Sequence, residues 1–124
     1  MKIQESAENY LETILFLGKR LNKVRSIDIA NELNYSKPSV SVAMKNLKNN
    51  GYIEIDCDGY ITLSDKGLEI AEKMSERHNL LSSWLISLGV PSDIAIEDAC
   101  RIEHVISNES FEAIKKVASP LICD

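Results

Sequence analysis

Between Ser36 and Ser64 the apolar residues change period within one short stretch, and few folds accommodate that change. Val40, Ala43, Met44 and Leu47 fall on one face of a helix, and Gly51 follows as a stop. Tyr52, Ile53 and Ile55 then alternate with polar residues, Asp58-Gly59 offers a turn, and Tyr60, Ile61 and Leu63 resume the alternation. A helix therefore runs directly into a β-hairpin. Ser36 is placed to cap that helix, with Pro38 in its first turn, where a missing N–H costs nothing.

Upstream, Ala7, Tyr10, Leu11, Ile14 and Leu15 carry the spacing of an amphipathic helix over about residues 6–20. Ser26 is placed to cap a second, short helix with Ile27, Ile29, Ala30 and Leu33. Three helices and a hairpin in this order predict a winged helix-turn-helix, which presents the second of its short-turned helices to the DNA major groove. A helix pair that merely packs is the alternative the pattern leaves open. The chain's net charge of −5 argues against indiscriminate nucleic-acid binding, yet the charge is unevenly distributed. From Lys19 to Asn50 there are seven basic residues against two acidic ones, and from Asp65 onward six against eleven. A basic front and an acidic back point to two separate tasks.

Downstream, Ser64 is placed to cap a long helix reaching about Leu88. Its second half, with Leu80, Leu81, Trp84, Leu85, Ile86 and Leu88, is apolar nearly all round, which predicts a homodimer interface carried by Leu81, Trp84, Leu85 and Leu88. The alternative is that the remaining helices wrap this surface. Those helices are expected over residues 92–107 and 109–117, after a turn at Gly89-Val90-Pro91. The expected fold class is mainly α with a small β-hairpin wing: a winged helix-turn-helix over residues 1–64, then a helical domain over residues 65–124. At 124 residues the chain has room for one core or two small subdomains. No apolar stretch is long enough to span a bilayer and no export signal opens the chain, so no membrane partner is expected and the expected compartment is the cytoplasm. Cys57, Cys100 and Cys123, odd in number and irregularly spaced, read as free thiols. Cys57 and Cys123 have no neighbours that suggest a reactive thiol.

Cys100, Glu103 and His104 stand at i, i+3 and i+4 on the helix after Pro91, so their side chains converge on one face. Thiolate, carboxylate and imidazole suit a first-row transition metal and do not suit calcium or magnesium. A cysteine beside an ordinary Glu–His pair is the competing reading of the triplet. His78, the one other histidine, lies on the long helix that must pack nearby, and Glu8, Asn9 and Glu12 put oxygen donors on the first helix.

With these residues in view, the chain resembles the diphtheria toxin repressor family of metal-dependent bacterial and archaeal regulators over essentially its whole length. The resemblance rests on "AENYLETI" at 7–14, "SKPSVSVAMKNLKNNGYI" at 36–53, "LSDKG" at 63–67, "ERHNLL" at 76–81 and, most specifically, "EDACRIEHVIS" at 97–107. It implies a homodimer that binds double-stranded operator DNA more tightly when ferrous or manganous ion is bound, with residues 65–124 as a metal-binding and dimerisation domain. Metal ligands are then expected at His78, Cys100, Glu103 and His104, where Cys100 matches the iron-responsive branch of the family. Glu12 matches a carboxylate ligand of the manganese-responsive branch, and Asn9 stands where the family carries Met or Asp. The iron branch has a third, SH3-like domain, whereas this architecture is that of the shorter manganese regulators.

The resemblance also places Ser36, Lys37, Pro38, Ser39, Ser41 and Val42 at the DNA, with Lys45 and Lys48 adding sequence-independent attraction. Val42 replaces a Gln common in the family, so base readout is expected to use thymine methyl groups. Asp56 and Asp58 at the wing tip would repel phosphates, so the wing is expected to contribute little. Fe2+ is favoured over Mn2+ because a thiolate is a poor partner for hard manganese, and Zn2+ or Co2+ would substitute in vitro. The donors lose protons on binding, so metal affinity should fall with pH. The expected function is metal-dependent repression of metal-uptake genes, with no enzymatic activity and no small-molecule substrate. A metal-independent winged-helix regulator is the alternative.

Overall fold

The computed structural model describes residues 5–122, and side chains up to residue 118. Six helices and one hairpin follow in the order α1 (Glu5–Leu21), α2 (Ser26–Leu33), α3 (Lys37–Asn49), β1 (Ile53–Ile55), β2 (Ile61–Leu63), α4 (Asp65–Ser87), α5 (Ser92–Val105) and α6 (Asn108–Ile122). They form two compact units, one ending at Glu72 and the other beginning at Lys73, so the division falls inside α4.

In the N-terminal unit, α1 buries Leu11, Ile14 and Leu17, the side chains that recur at helical spacing on one face. These join Val24, Ile29, Ala30, Val40, Met44, Leu47, Ile53, Ile61 and Ala71 in one core. Asn22 and Asn34, both in the left-handed region, end α1 and α2; Asn tolerates that conformation better than most residues. The chain then turns through Tyr35 into α3, which Ser36 caps by accepting a hydrogen bond from the Ser39 amide at 3.3 Å. At α2 the capping differs from expectation. Arg25, not Ser26, is the capping residue, and its amide donates to Asp28 Oδ2 at 2.9 Å. Asp28 sits three residues into the helix, where a carboxylate reaches back to the free amide and lies at the favourable end of the helix dipole.

Gly51 adopts φ +81°, which lets the Gly51 and Tyr52 amides double back onto the carbonyls of Lys48 and Leu47 and close α3. The strands pair antiparallel in the register Ile53–Leu63, Glu54–Thr62 and Ile55–Ile61. Their loop is organised by Asp56, whose Oδ1 accepts from the amides of Asp58 and Tyr60, each at 2.9 Å. The Ile61 amide also donates to the Val24 carbonyl at 2.7 Å, stitching the wing to the segment between α1 and α2. Nothing in the sequence pattern signalled that third pairing.

Ser64 caps α4 as expected: its hydroxyl accepts from the Gly67 amide at 3.1 Å and donates to the Gly51 carbonyl at 2.6 Å. Gly67 is required here for space, because a Cβ at this position would collide with the backbone carbonyl of Tyr52. In the C-terminal unit Leu81, Ala99 and Phe111 form the core, with Leu80, Trp84, Ile102, Ile106 and Ile114 packed on it. Leu81 was expected at a dimer interface, but the chain's own α5 and α6 contribute the residues that cover it. Leu88, in contrast, is 59% exposed. The last helix continues to Ile122, past the expected end at Val117, and Ala118 is fully buried along it. Cys57 is exposed at the wing tip, and Cys123 lies outside the described residues. No helix among the described residues is long and apolar enough to cross a membrane.

Candidate metal centre

α5 carries three donors in its C-terminal half. Cys100 Sγ, a Glu103 carboxylate oxygen and a His104 ring nitrogen all lie within 4.8 Å of one another, as their spacing on a helix demands. The three differ sharply in exposure. Cys100 is exposed, whereas the Glu103 side chain has 0% exposure and that of His104 only 3%. From α4, His78 Nδ1 approaches Glu103 Oε2 at 3.1 Å, the imidazole N–H donating and the carboxylate accepting. His104 Nε2 stands 3.3 Å from the other carboxylate oxygen, Oε1. His78 itself is anchored on a turn whose carbonyl accepts the Ser82 hydroxyl at 2.8 Å.

A carboxylate removed from water is costly unless positive charge stands beside it. The Cys100 thiol and the His104 imidazole, gathered with one such carboxylate, form a donor set that fits a first-row transition ion, and His78 meets the same carboxylate on its other oxygen. The four residues expected as ligands in the C-terminal unit are thus brought together around Glu103. Asn9 and Glu12 lie on α1 in the N-terminal unit, both half-buried, and the Asn9 carbonyl accepts the Thr13 hydroxyl at 2.8 Å. Arg77 escaped the sequence reading. It stands beside His78 and is 4% exposed, with its guanidinium bonded to the main chain of Glu103. Its one signal was a basic residue at a core-facing position of α4, three residues after the buried Met74.

In the N-terminal unit, α3 turns Val40, Met44 and Leu47 inward. Ser36, Lys37, Pro38, Ser39, Ser41, Val42 and Lys45 are all exposed, and Val42 presents an apolar side chain at 60% exposure. The Ser36 and Ser39 hydroxyls are 2.7 Å apart at the start of the helix, where free backbone amides favour anions. Nearby, Tyr10 and Tyr35 meet edge to face at 6.0 Å, and burial together with Tyr35 raises the Tyr10 pKa.

Comparison with known proteins agrees with this geometry. The domain described as "Iron dependent repressor, N-terminal DNA binding domain" matches residues 2–60, and "Iron dependent repressor, metal binding and dimerisation domain" matches residues 64–121. An uncharacterized HTH-type transcriptional regulator of Methanocaldococcus jannaschii is 33% identical over 91% of this chain and 92% of its own length. The transcriptional regulator MntR of Escherichia coli is 32% identical over 90% of this chain and 72% of its own. Among solved structures, the manganese regulator SloR matches with a TM-score of 0.79 at 28% identity, covering 94% of this chain and 54% of that one. A manganese-dependent transcriptional repressor in complex with manganese matches with a TM-score of 0.83 at 27% identity, over 91% and 52%. The chain therefore spans about half the length of these solved chains.

Proposed function

The chain belongs to the iron-dependent repressor family, and on that premise we propose that it is a metal-dependent DNA-binding transcriptional repressor. In this reading a homodimer, activated by a divalent transition-metal ion, binds operator DNA in the cytoplasm and controls metal-uptake genes. The observation that carries the proposal is Glu103, a fully buried carboxylate with an imidazole against each oxygen and a thiol one turn away. The ion supplies, when bound, the positive charge that lets thiolate, carboxylate and imidazole donors share one pocket.

Each residue has a distinct part. Glu103, His78 and His104 form the inner donors, and the burial of Glu103 keeps competing water from its carboxylate. Exposed Cys100 sets selectivity, because its soft sulfur favours Fe2+ over Mn2+. Zn2+ and Co2+ should bind in vitro as well. Glu12 and Asn9 are proposed as further oxygen donors on the strength of the sequence resemblance. In the N-terminal unit, Ser36, Ser39 and the first amides of α3 bind backbone phosphates, Lys37 and Lys45 add charge, and Val42 contacts bases. Trp84, Leu85 and Leu88 remain proposed for the dimer interface, without Leu81.

The test is fluorescence anisotropy of the chelated protein on DNA from upstream of its own gene, titrated anaerobically with Fe2+ and, separately, Mn2+. Metal should tighten binding by roughly 5- to 150-fold, the range of ordinary allosteric coupling. Equal affinity with and without metal would leave a metal-independent winged-helix regulator in its place.

A further inference from the structure

We propose that Arg77 is a positioning residue for the metal centre, setting ion affinity and selectivity by fixing the last turn of α5 against α4. The proposal rests on the repressor reading above and extends it to a residue outside the donor set.

Arg77 Nη1 donates to the main-chain carbonyls of Glu103 at 2.9 Å and Ile106 at 2.8 Å. Nη2 donates to Asn108 Oδ1 at 2.6 Å, at the start of α6. The guanidinium carbon lies 5.5 Å from the centre of the Phe111 ring. One side chain of α4 thus holds the end of α5, the link after it and the first turns of α6. Helix α5 ends at Val105, so the Glu103 carbonyl belongs to the last turn, whose carbonyls lack intrahelical partners. The guanidinium satisfies that carbonyl and places a cation at the negative end of the helix dipole.

What Arg77 leaves alone matters as much. It takes the backbone oxygen of Glu103, and the two carboxylate oxygens face His78 and His104. A guanidinium on the carboxylate would neutralise it and compete with an incoming cation. Bound to the main chain instead, it fixes where Glu103 sits without drawing on its donor capacity. Because Arg77 and His78 are consecutive on α4, the same contact sets the height of His78 against Glu103. An apolar side chain could fill this space without the cost of burying a cation, which argues for a role in position over simple packing. A lysine would not serve equally, since it offers a point charge where the planar fork reaches three acceptors.

Anaerobic titration with Co2+ tests this, reading the thiolate-to-cobalt charge-transfer band and the cobalt ligand-field bands, with Mn2+ as competitor and the melting temperature of the metal-free protein measured alongside. Arg77→Lys should weaken Co2+ binding by about tenfold to a hundredfold, the usual cost of losing an outer-layer partner, and alter the bands at saturation. Asn108→Ala, a smaller change, should move both readouts in the same direction, and it decides the matter if Arg77→Lys does not fold. Variants with unaltered Co2+ affinity and spectra, merely melting lower, would overturn the proposal and leave Arg77 a structural strut. A wild-type chain that binds no Co2+ would overturn the repressor reading, and this inference with it.

Discussion

The recognition helix and the donor turn are both short polar stretches of helix, and they treat their functional groups in opposite ways. α3 buries an apolar face and leaves Ser36, Lys37, Ser39, Ser41 and Lys45 in water. α5 points Glu103 inward, to complete burial, and pairs it with imidazoles. A surface exposed to meet a large polyanion would cost the fold little, so those of its side chains that hold no cap should act on affinity alone. A buried carboxylate is part of the packing, so function and stability move together there. Substitutions on the two helices should separate along that line.

The largest effect belongs to Glu103→Gln. This change keeps the shape and removes the charge on which two imidazoles converge, and metal-dependent tightening on DNA, worth about 1–3 kcal/mol, should vanish. Anisotropy with and without Mn2+ or Fe2+ checks it. Retention of the full metal response would place the ion elsewhere and dissolve the contrast between the two helices.

Gly67→Ala should come next, and it acts on folding. Its Cβ would meet the Tyr52 carbonyl, to which the Ser64 amide also bonds at 3.0 Å, so the start of α4 must shift against the wing. Overpacking of this kind costs about 1–3 kcal/mol, read as a lower urea midpoint. Cys100, Glu103 and His104 lie in the other unit and the proposed donors Asn9 and Glu12 in this one, so any fall in Co2+ affinity of the folded protein should be smaller than that of Glu103→Gln. A fall in Co2+ affinity comparable to that of Glu103→Gln would show that the two units do not respond independently.

Much of this was legible in the sequence for physical reasons. The switch from helical to alternating period marked α3 and the wing, since side chains that share a buried face must recur at the period of their backbone. Cys100, Glu103 and His104 were legible because donors one turn apart leave a fixed spacing. What escaped reading involves contacts between residues distant in the chain. The Ile61–Val24 pairing depends on how two loops meet, and a single bridge leaves no period. Arg77 bonds carbonyls of Glu103 and Ile106, and main-chain acceptors carry no residue identity to find. Leu81 shows the converse failure: an apolar side chain looks the same in a sequence whether its own chain or a partner covers it.

Smaller effects belong to α3, where Ser36→Ala and Lys45→Ala split two roles that exposure alone does not distinguish. Ser36 caps the helix, so its loss should lower stability by about 1 kcal/mol as well as weaken DNA binding. Lys45 is exposed and holds no cap, so its loss should leave the melting temperature unchanged. If it neutralises one phosphate, the slope of log affinity against log salt should become shallower by about 0.9, uniformly across DNA sequences. An unchanged slope would remove Lys45 from the DNA face. A slope that changed together with the melting temperature would mean that this outward surface is tied to the fold after all, and that the difference between α3 and α5 is one of degree.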